Sequence, residues 1–190
     1  MVMTLNPPTT LISSVEFEKM FGEDDRVELW RGVLVEMSPV KPTHWKISFR
    51  LGMILGNHVL QAGIGEIASG EAGFTIEEGP DTVVAPDLTF VETEAARAMS
   101  DDVPGFPRYV PPLVVEIKSP SDSEPQITAK LSLYYAAGVA EIWWVRPRQK
   151  TLTRYWADRE PVVLHAGDTL DDVDALPGFS MAVDEMFPAE

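Results

Sequence analysis

Apolar residues along this chain change their spacing several times, and each change marks an element. Between His44 and Leu60, Ile47, Leu51, Ile54, Leu55 and Val59 recur at three- and four-residue steps, which predicts an amphipathic helix closed by Gly63 and Gly65. Ser13-Ser14 followed by Val15, Phe17 and Met20 predicts a shorter helix, capped by one serine, with Glu16 or Glu18 in its first turn. Val27 to Met37 alternates about Arg31-Gly32, the pattern of a hairpin with Gly32 in its turn. A strand pair is expected around Glu66 to Ala68 and Gly73 to Ile76, before the turn signal Gly79-Pro80-Asp81. Asp87 to Val91 and Pro112 to Lys118 read as further strands, with Glu94 to Tyr109 an excursion between them. After Ser119-Pro120-Ser121-Asp122 breaks the strand, Pro125 opens a helix that runs to about Ala137 and stops at Gly138. Ile142 to Val145 is apolar throughout, as a buried central strand would be, and Thr151 to Trp156 with Val162 to His165 forms a final antiparallel pair. The expectation is an α/β chain: a mixed central sheet flanked by helices, with a β-rich C-terminal part.

Length and composition bound this picture. With 190 residues and 45% hydrophobic content, residues 1–190 are expected to form one domain with a sizeable core, 1–10 being a loose arm. No apolar run approaches the roughly 20 residues needed to cross a bilayer, and no secretory leader pattern opens the chain. The absence of cysteine excludes disulfides and thiolate metal sites, and a cytoplasmic location is expected.

Charge argues against a nucleic-acid partner overall and for one locally. Fifteen Lys plus Arg against thirty Asp plus Glu give a net charge of −15, a field that repels phosphate. Yet Met37 to Gly65 holds no carboxylate, and Lys41, Lys46 and Arg50 fall inside it. A second acid-free group contains Arg146, Arg148, Lys150 and Arg154. The plain alternative is an acidic protein with scattered charges.

Candidate chemistry sits at the end of the valine-rich strand. Leu113, Val115 and Ile117 share one face, while Val114, Glu116 and Lys118 share the other. Charges at the end of an apolar face need partners or a metal, although a cross-face salt bridge on an edge strand would also explain them. A Glu-x-Lys triplet alone is expected roughly once by chance in such a chain, so position gives this one its weight. Of two Pro-Asp pairs, Pro80-Asp81 follows Gly79 and behaves as a turn, whereas Pro86-Asp87 opens a strand. Asp87 brought beside Glu116 and Lys118 would complete the acid-acid-lysine cluster of a metal-dependent phosphodiesterase. Lys130 lies on the following helix with Ile127 and Tyr134 on its face.

Pro86-Asp87 and Glu116-Ile117-Lys118 resemble the two half-motifs of the PD-(D/E)XK nuclease superfamily, and within it the Uma-two family. The resemblance runs from about Val15 to Tyr155 and includes Glu28-Leu29-Trp30-Arg31-Gly32, Met37-Ser38-Pro39, His44, Ser119-Pro120-Ser121, Lys130, Tyr134, Gly138-Val139 and Glu141-Ile142-Trp143. It implies the restriction-endonuclease-like fold and Mg²⁺-dependent cleavage of DNA phosphodiesters, with Mn²⁺ able to substitute. Asp87, Glu116 and the carbonyl of Ile117 would then hold the ion, and Lys118 would orient water or offset charge. Glu28 and His44 match further family positions beside the site, each with a plainer structural explanation, and Lys130 matches a family lysine that approaches the acids and serves where the strand lysine is replaced; here both lysines are present. Gln126 stands where the family often has aspartate.

Duplex DNA bound through Lys41, Lys46, Arg50, Arg146 and Arg148, and a two-fold homodimer, complete the expectation. Two other functions compete with it. One is a catalytically silent acidic interaction protein on the same scaffold. The other is a hydrolase of a small phosphorylated compound.

Overall fold

The structure, a computed structural model, describes residues 11–21, 26–70, 72–100 and 102–188. The expected N-terminal arm, 1–10, lies outside them. In chain order, α1 (Ser14–Met20) precedes the hairpin of β1 (Val27–Trp30) and β2 (Val33–Glu36), and α2 (Pro42–Ala62) follows. Next come β3 (Gly65–Ser69), β4 (Phe74–Glu77), β5 (Thr82–Val84), β6 (Leu88–Glu92), α3 (Thr93–Ala98), β7 (Leu113–Ile117) and α4 (Glu124–Ala137). The chain ends in β8 (Glu141–Arg146), β9 (Thr151–Tyr155), β10 (Val162–His165), the short strands β11 (Thr169–Leu170) and β12 (Met181–Ala182), and the 3-10 turn Val183–Met186.

Local chemistry explains the element boundaries. Ser13 Oγ accepts from the Glu16 amide at 3.3 Å and Glu16 Oε2 accepts from the Ser13 amide at 2.9 Å, a capping box that starts α1. Arg31 and Gly32 have φ of 49° and 77°, the left-handed pair that turns a two-residue hairpin with the twist of its strands. Pro42 and Pro125 occupy first-turn positions of α2 and α4, where their missing donors leave nothing unpaired, and left-handed Gly63 and Gly138 end both helices.

Two sheets result. The larger has the order β10-β9-β8-β7-β6-β3, and the smaller β2-β1-β5-β4. In the larger sheet β7 and β8 run parallel, joined through α4, while their other neighbours are antiparallel. The fold class is therefore the mixed sheet with flanking helices that the sequence predicts. One pairing differs. The segments around Glu66 to Ala68 and Gly73 to Ile76 do not pair with each other, because β3 joins β6 and β4 joins the three-residue β5.

Alternation along β7 splits the core. Leu113, Val115 and Ile117 pack with Ile47, Leu51, Leu55 and Val59 of α2 and with Leu170, Leu176, Phe179 and Met186. Val114 packs on the opposite face with Ile127, Leu131 and Tyr134 of α4. Among the described residues, no helix is long and apolar enough to cross a membrane.

A buried ionic cluster fastens the C-terminal segment to this sheet. Arg154 Nε donates to Glu141 Oε1 at 2.6 Å, and its terminal nitrogens donate to the carbonyls of Asp171 and Asp172 at 2.8 and 2.9 Å. Trp143 Nε1 donates to the same carboxylate oxygen at 2.6 Å. Breaking a buried pair by removing one partner strands the other charge. Arg154→Ala is therefore expected to destabilise the fold by about 3–5 kcal/mol in urea titration; a loss of less than about 1 kcal/mol would show the cluster to be dispensable.

Candidate active site

Glu116 shares its strand face with Val114, so it points toward α4 and meets two residues one helical turn apart. Tyr134 donates its hydroxyl hydrogen to Glu116 Oε1. Lys130 Nζ lies 2.8 Å from that oxygen and 3.0 Å from Glu28 Oε1. Glu28 comes from β1 of the smaller sheet, where its Oε1 accepts from the Ala85 amide at 2.9 Å and its Oε2 from Trp30 Nε1 at 2.8 Å. All three charged side chains are buried: 5% of Lys130, 1% of Glu28 and 9% of Glu116 remain exposed. The ammonium is held by charge, since neither contact has hydrogen-bond geometry.

Burial dominates the electrostatics. It pushes the Glu116 carboxyl up to about 7, against the pull of the Lys130 charge. Burial would also discharge Lys130, but the carboxylates of Glu116 and Glu28 outweigh it and hold its pKa above the ordinary lysine value. Tyr134, buried beside the same acids, is driven well above the usual phenol range. The cluster thus keeps an obligate cation and a neutral phenol against an acid that titrates near neutrality.

Asp87 immediately precedes β6, alongside the end of β7. Its Oδ2 accepts from the Ile117 amide at 2.7 Å and lies 3.2 Å from His44 Nε2, in the first turn of α2. Burial lowers the His44 pKa, yet the hydrogen bond and charge of Asp87, with Glu116 and Asp122 behind, raise it overall. The rival Asp81 is a turn residue, accepting from the amides of Ser14 and Gly79.

Glu28, His44, Asp87, Glu116, Ile117 and Lys130 all line one cavity of about 580 Å³. Lys118 is not among its lining residues. β7 ends at Ile117, and the following turn closes as Asp122 Oδ2 accepts from the Ser119 amide at 2.6 Å. That turn offers the Asp122 carbonyl to Lys118 Nζ, which also lies 3.8 Å from Glu124. The lysine between the acids is Lys130. The expected nucleic-acid contacts also lie elsewhere: Arg146 pairs with Glu124 at 2.7 and 2.9 Å, and Arg50 donates to the Phe187 carbonyl at 3.4 Å. Lys46 sits over the Trp45 ring, while Lys41 and Arg148 are exposed and outside the cavity lining.

Residues without an assigned role in the sequence reading complete the site. Tyr134, which holds Glu116 from outside the cavity lining, carries a signal in its four-residue spacing from Lys130. Asp122, Arg26 and the aromatic Phe17, Phe21 and Phe106 carry none, because they reach the cavity from separate loops and helices.

The His44–Asp87 contact makes a pH prediction. The histidine's folded pKa is raised, so its contribution to stability is complete below the unfolded value of 6.5 and is lost as pH rises through the folded pKa. In metal-free protein, the His44 NMR titration midpoint is expected above 6.5 and falls in Asp87→Asn. An unchanged midpoint in that variant would show that the pair does not set it.

Comparison with known proteins bears on the family and the fold. The Uma2 family, described as "Putative restriction endonuclease", matches residues 14–184. No curated protein matches the chain. A 1.96 Å crystal structure from Anabaena variabilis, titled as a "putative nuclease belonging to DUF820", superposes with a TM-score of 0.79 and 16% identity, covering 93% of this chain and 97% of that one. At that identity the likeness concerns the fold alone. On the family match, the chain belongs to the Uma2 family of restriction-endonuclease-like proteins.

Proposed function

We propose that the chain is a divalent-metal-dependent endodeoxyribonuclease of the PD-(D/E)XK type, using Mg²⁺ with Mn²⁺ as a substitute. One observation carries this reading: Asp87, Glu116 and Lys130 meet on one cavity, each with bonding capacity left over. Asp87 Oδ1 and Glu116 Oε2 hold no protein hydrogen bond among the described residues, and Lys130 Nζ has no hydrogen-bond acceptor there. Family membership supports the same class of activity.

The donor set fits a hard cation. Mg²⁺ prefers oxygen, binds through one or two carboxylates, and leaves its other positions to water and phosphate. Asp87 and Glu116 would hold it, with the Ile117 carbonyl as a further oxygen. Among the described residues no group of three or more acids, histidines or cysteines is placed to hold a metal, so the two carboxylates would bind it only together with water or phosphate oxygens. When bound, such an ion polarises a phosphodiester and acidifies a coordinated water.

The protein's own groups supply the remainder. Lys130, kept cationic, faces the negative charge that builds on phosphorus as the bond breaks. Glu28 fixes that ammonium from the opposite sheet. Tyr134 holds one oxygen of Glu116, and His44 with the Ile117 amide holds one oxygen of Asp87, so each carboxylate is oriented before substrate arrives.

Asp87→Asn and Glu116→Gln are each expected to lower Mn²⁺-supported DNA cleavage by about a hundredfold or more, with circular dichroism unchanged and Mn²⁺ binding weakened in calorimetry. Cleavage that survives both substitutions removes the assignment. The two lysines separate cleanly: Lys118→Met should stay within a few-fold of wild type, whereas Lys130→Met should lose about a hundredfold while still binding Mn²⁺. The reverse ranking would return the role to the strand lysine.

A further inference from the structure

We propose that the cavity receives one unpaired nucleotide, its phosphate at the acids and its base against a phenylalanine wall, so that the preferred substrate is a strand unpaired where it is cut. This rests on the nuclease reading and narrows it from duplex DNA to single-stranded, flapped or frayed strands.

Three observations lead there. The first is size. The acids line a cleft of about 580 Å³, within the range of roughly 300–1,000 Å³ that suits a small ligand. A base stacked in a duplex must leave the helix to enter such a space.

The second is the wall. Phe17 stacks at tilted angles with Phe21 and Phe106, at centroid distances of 5.4 and 5.5 Å, and all three line the cavity. Phe106 is fixed in advance. Its carbonyl accepts from Thr75 Oγ1 at 3.2 Å, and the neighbouring Gly105 amide donates to Glu18 Oε2 at 2.6 Å. Its ring lies on Gly73, where an added Cβ would come within 2.4 Å of Phe106 Cδ1, so the aromatic face depends on bare backbone beneath it. A π surface beside a phosphate-handling centre binds bases of any sequence.

The third is charge. Arg26 and Lys130 are the Lys and Arg side chains among the described lining residues, against Glu18, Glu28, Asp87, Glu116 and Asp122. Nothing there tracks the two phosphate rails of a duplex, and Lys41, Lys46, Arg50, Arg146 and Arg148 lie outside that lining. A site this acidic admits phosphate beside a divalent ion and Lys130, one nucleotide at a time.

The test uses the whole chain with Mn²⁺ and two probes in calorimetry, thymidine 5′-monophosphate and methyl phosphate. Wild type should bind the nucleotide about five- to a hundredfold more tightly, the range expected for one base on an aromatic face. Phe106→Ala and the bulk-preserving Phe106→Leu should bring that ratio toward unity, with Mn²⁺ affinity unchanged as the check on folding. Equal binding of both probes by wild type overturns the proposal. In cleavage, a 12-mer of thymidines alone should be cut at least tenfold faster than the same strand paired with its complement, and equal or faster cutting of the duplex also overturns it. Base-selective binding with no cleavage of either substrate upholds the nucleotide pocket and removes the nuclease reading alone.

Discussion

The ammonium of Lys130 joins the two sheets chemically. Glu28 comes from the smaller sheet and Glu116 from the larger, and both carboxylates would repel each other in a buried space without the cation between them. Desolvating three charges is unfavourable by several kcal/mol per ion, so the arrangement depends on close approach and on the amide, indole and phenol that satisfy the remaining oxygens. Its gain is positional. A cation locked from two directions cannot swing away, and Tyr134 one turn further along α4 keeps Glu116 from rotating out of register. The cavity beside Asp87 inherits its geometry from that clamp.

Much of this was legible from periodicity. The stripe Ile47, Leu51, Leu55 and Val59 does line the inner face of α2, and the apolar run Ile142 to Val145 does lie centrally, parallel to β7. Two-residue alternation placed Glu116 opposite Ile117 correctly, and the strand-opening position of Asp87 distinguished it from the turn residue Asp81. Such features are local, and a chain reports local constraints well.

What escaped the sequence is long-range or terminal. Lys118 shares strand parity with Glu116, but parity holds only while the strand lasts; one residue past its end, the Asp122 carbonyl captures the side chain. Lys130 was already a candidate on the following helix; ranking it above Lys118 required knowing how α4 lies over β7, and a flexible four-carbon stem leaves little trace of its destination. The pairing of β3 with β6 was hidden because sequence neighbours usually pair, and β5 is too short at three residues to show alternation. Glu94 to Tyr109, read as an excursion, returns along β4 and contributes Phe106 to the cavity. The acid-free stretches were real in sequence, and Lys41, Lys46, Arg50, Arg146 and Arg148 lie outside the cavity lining.

The C-terminal segment has an implication for how the molecule assembles. Leu170, Leu176, Phe179, Met181 and Met186 roof the same sheet face that Leu113, Val115 and Ile117 present, and Arg154 grips the backbone at Asp171 and Asp172. During synthesis the central strands emerge well before their roof does. Until it arrives, an oily β surface stands open to other nascent chains and to chaperones. Completion of the core is thus a late event, governed by residues far in sequence from those that line the cavity.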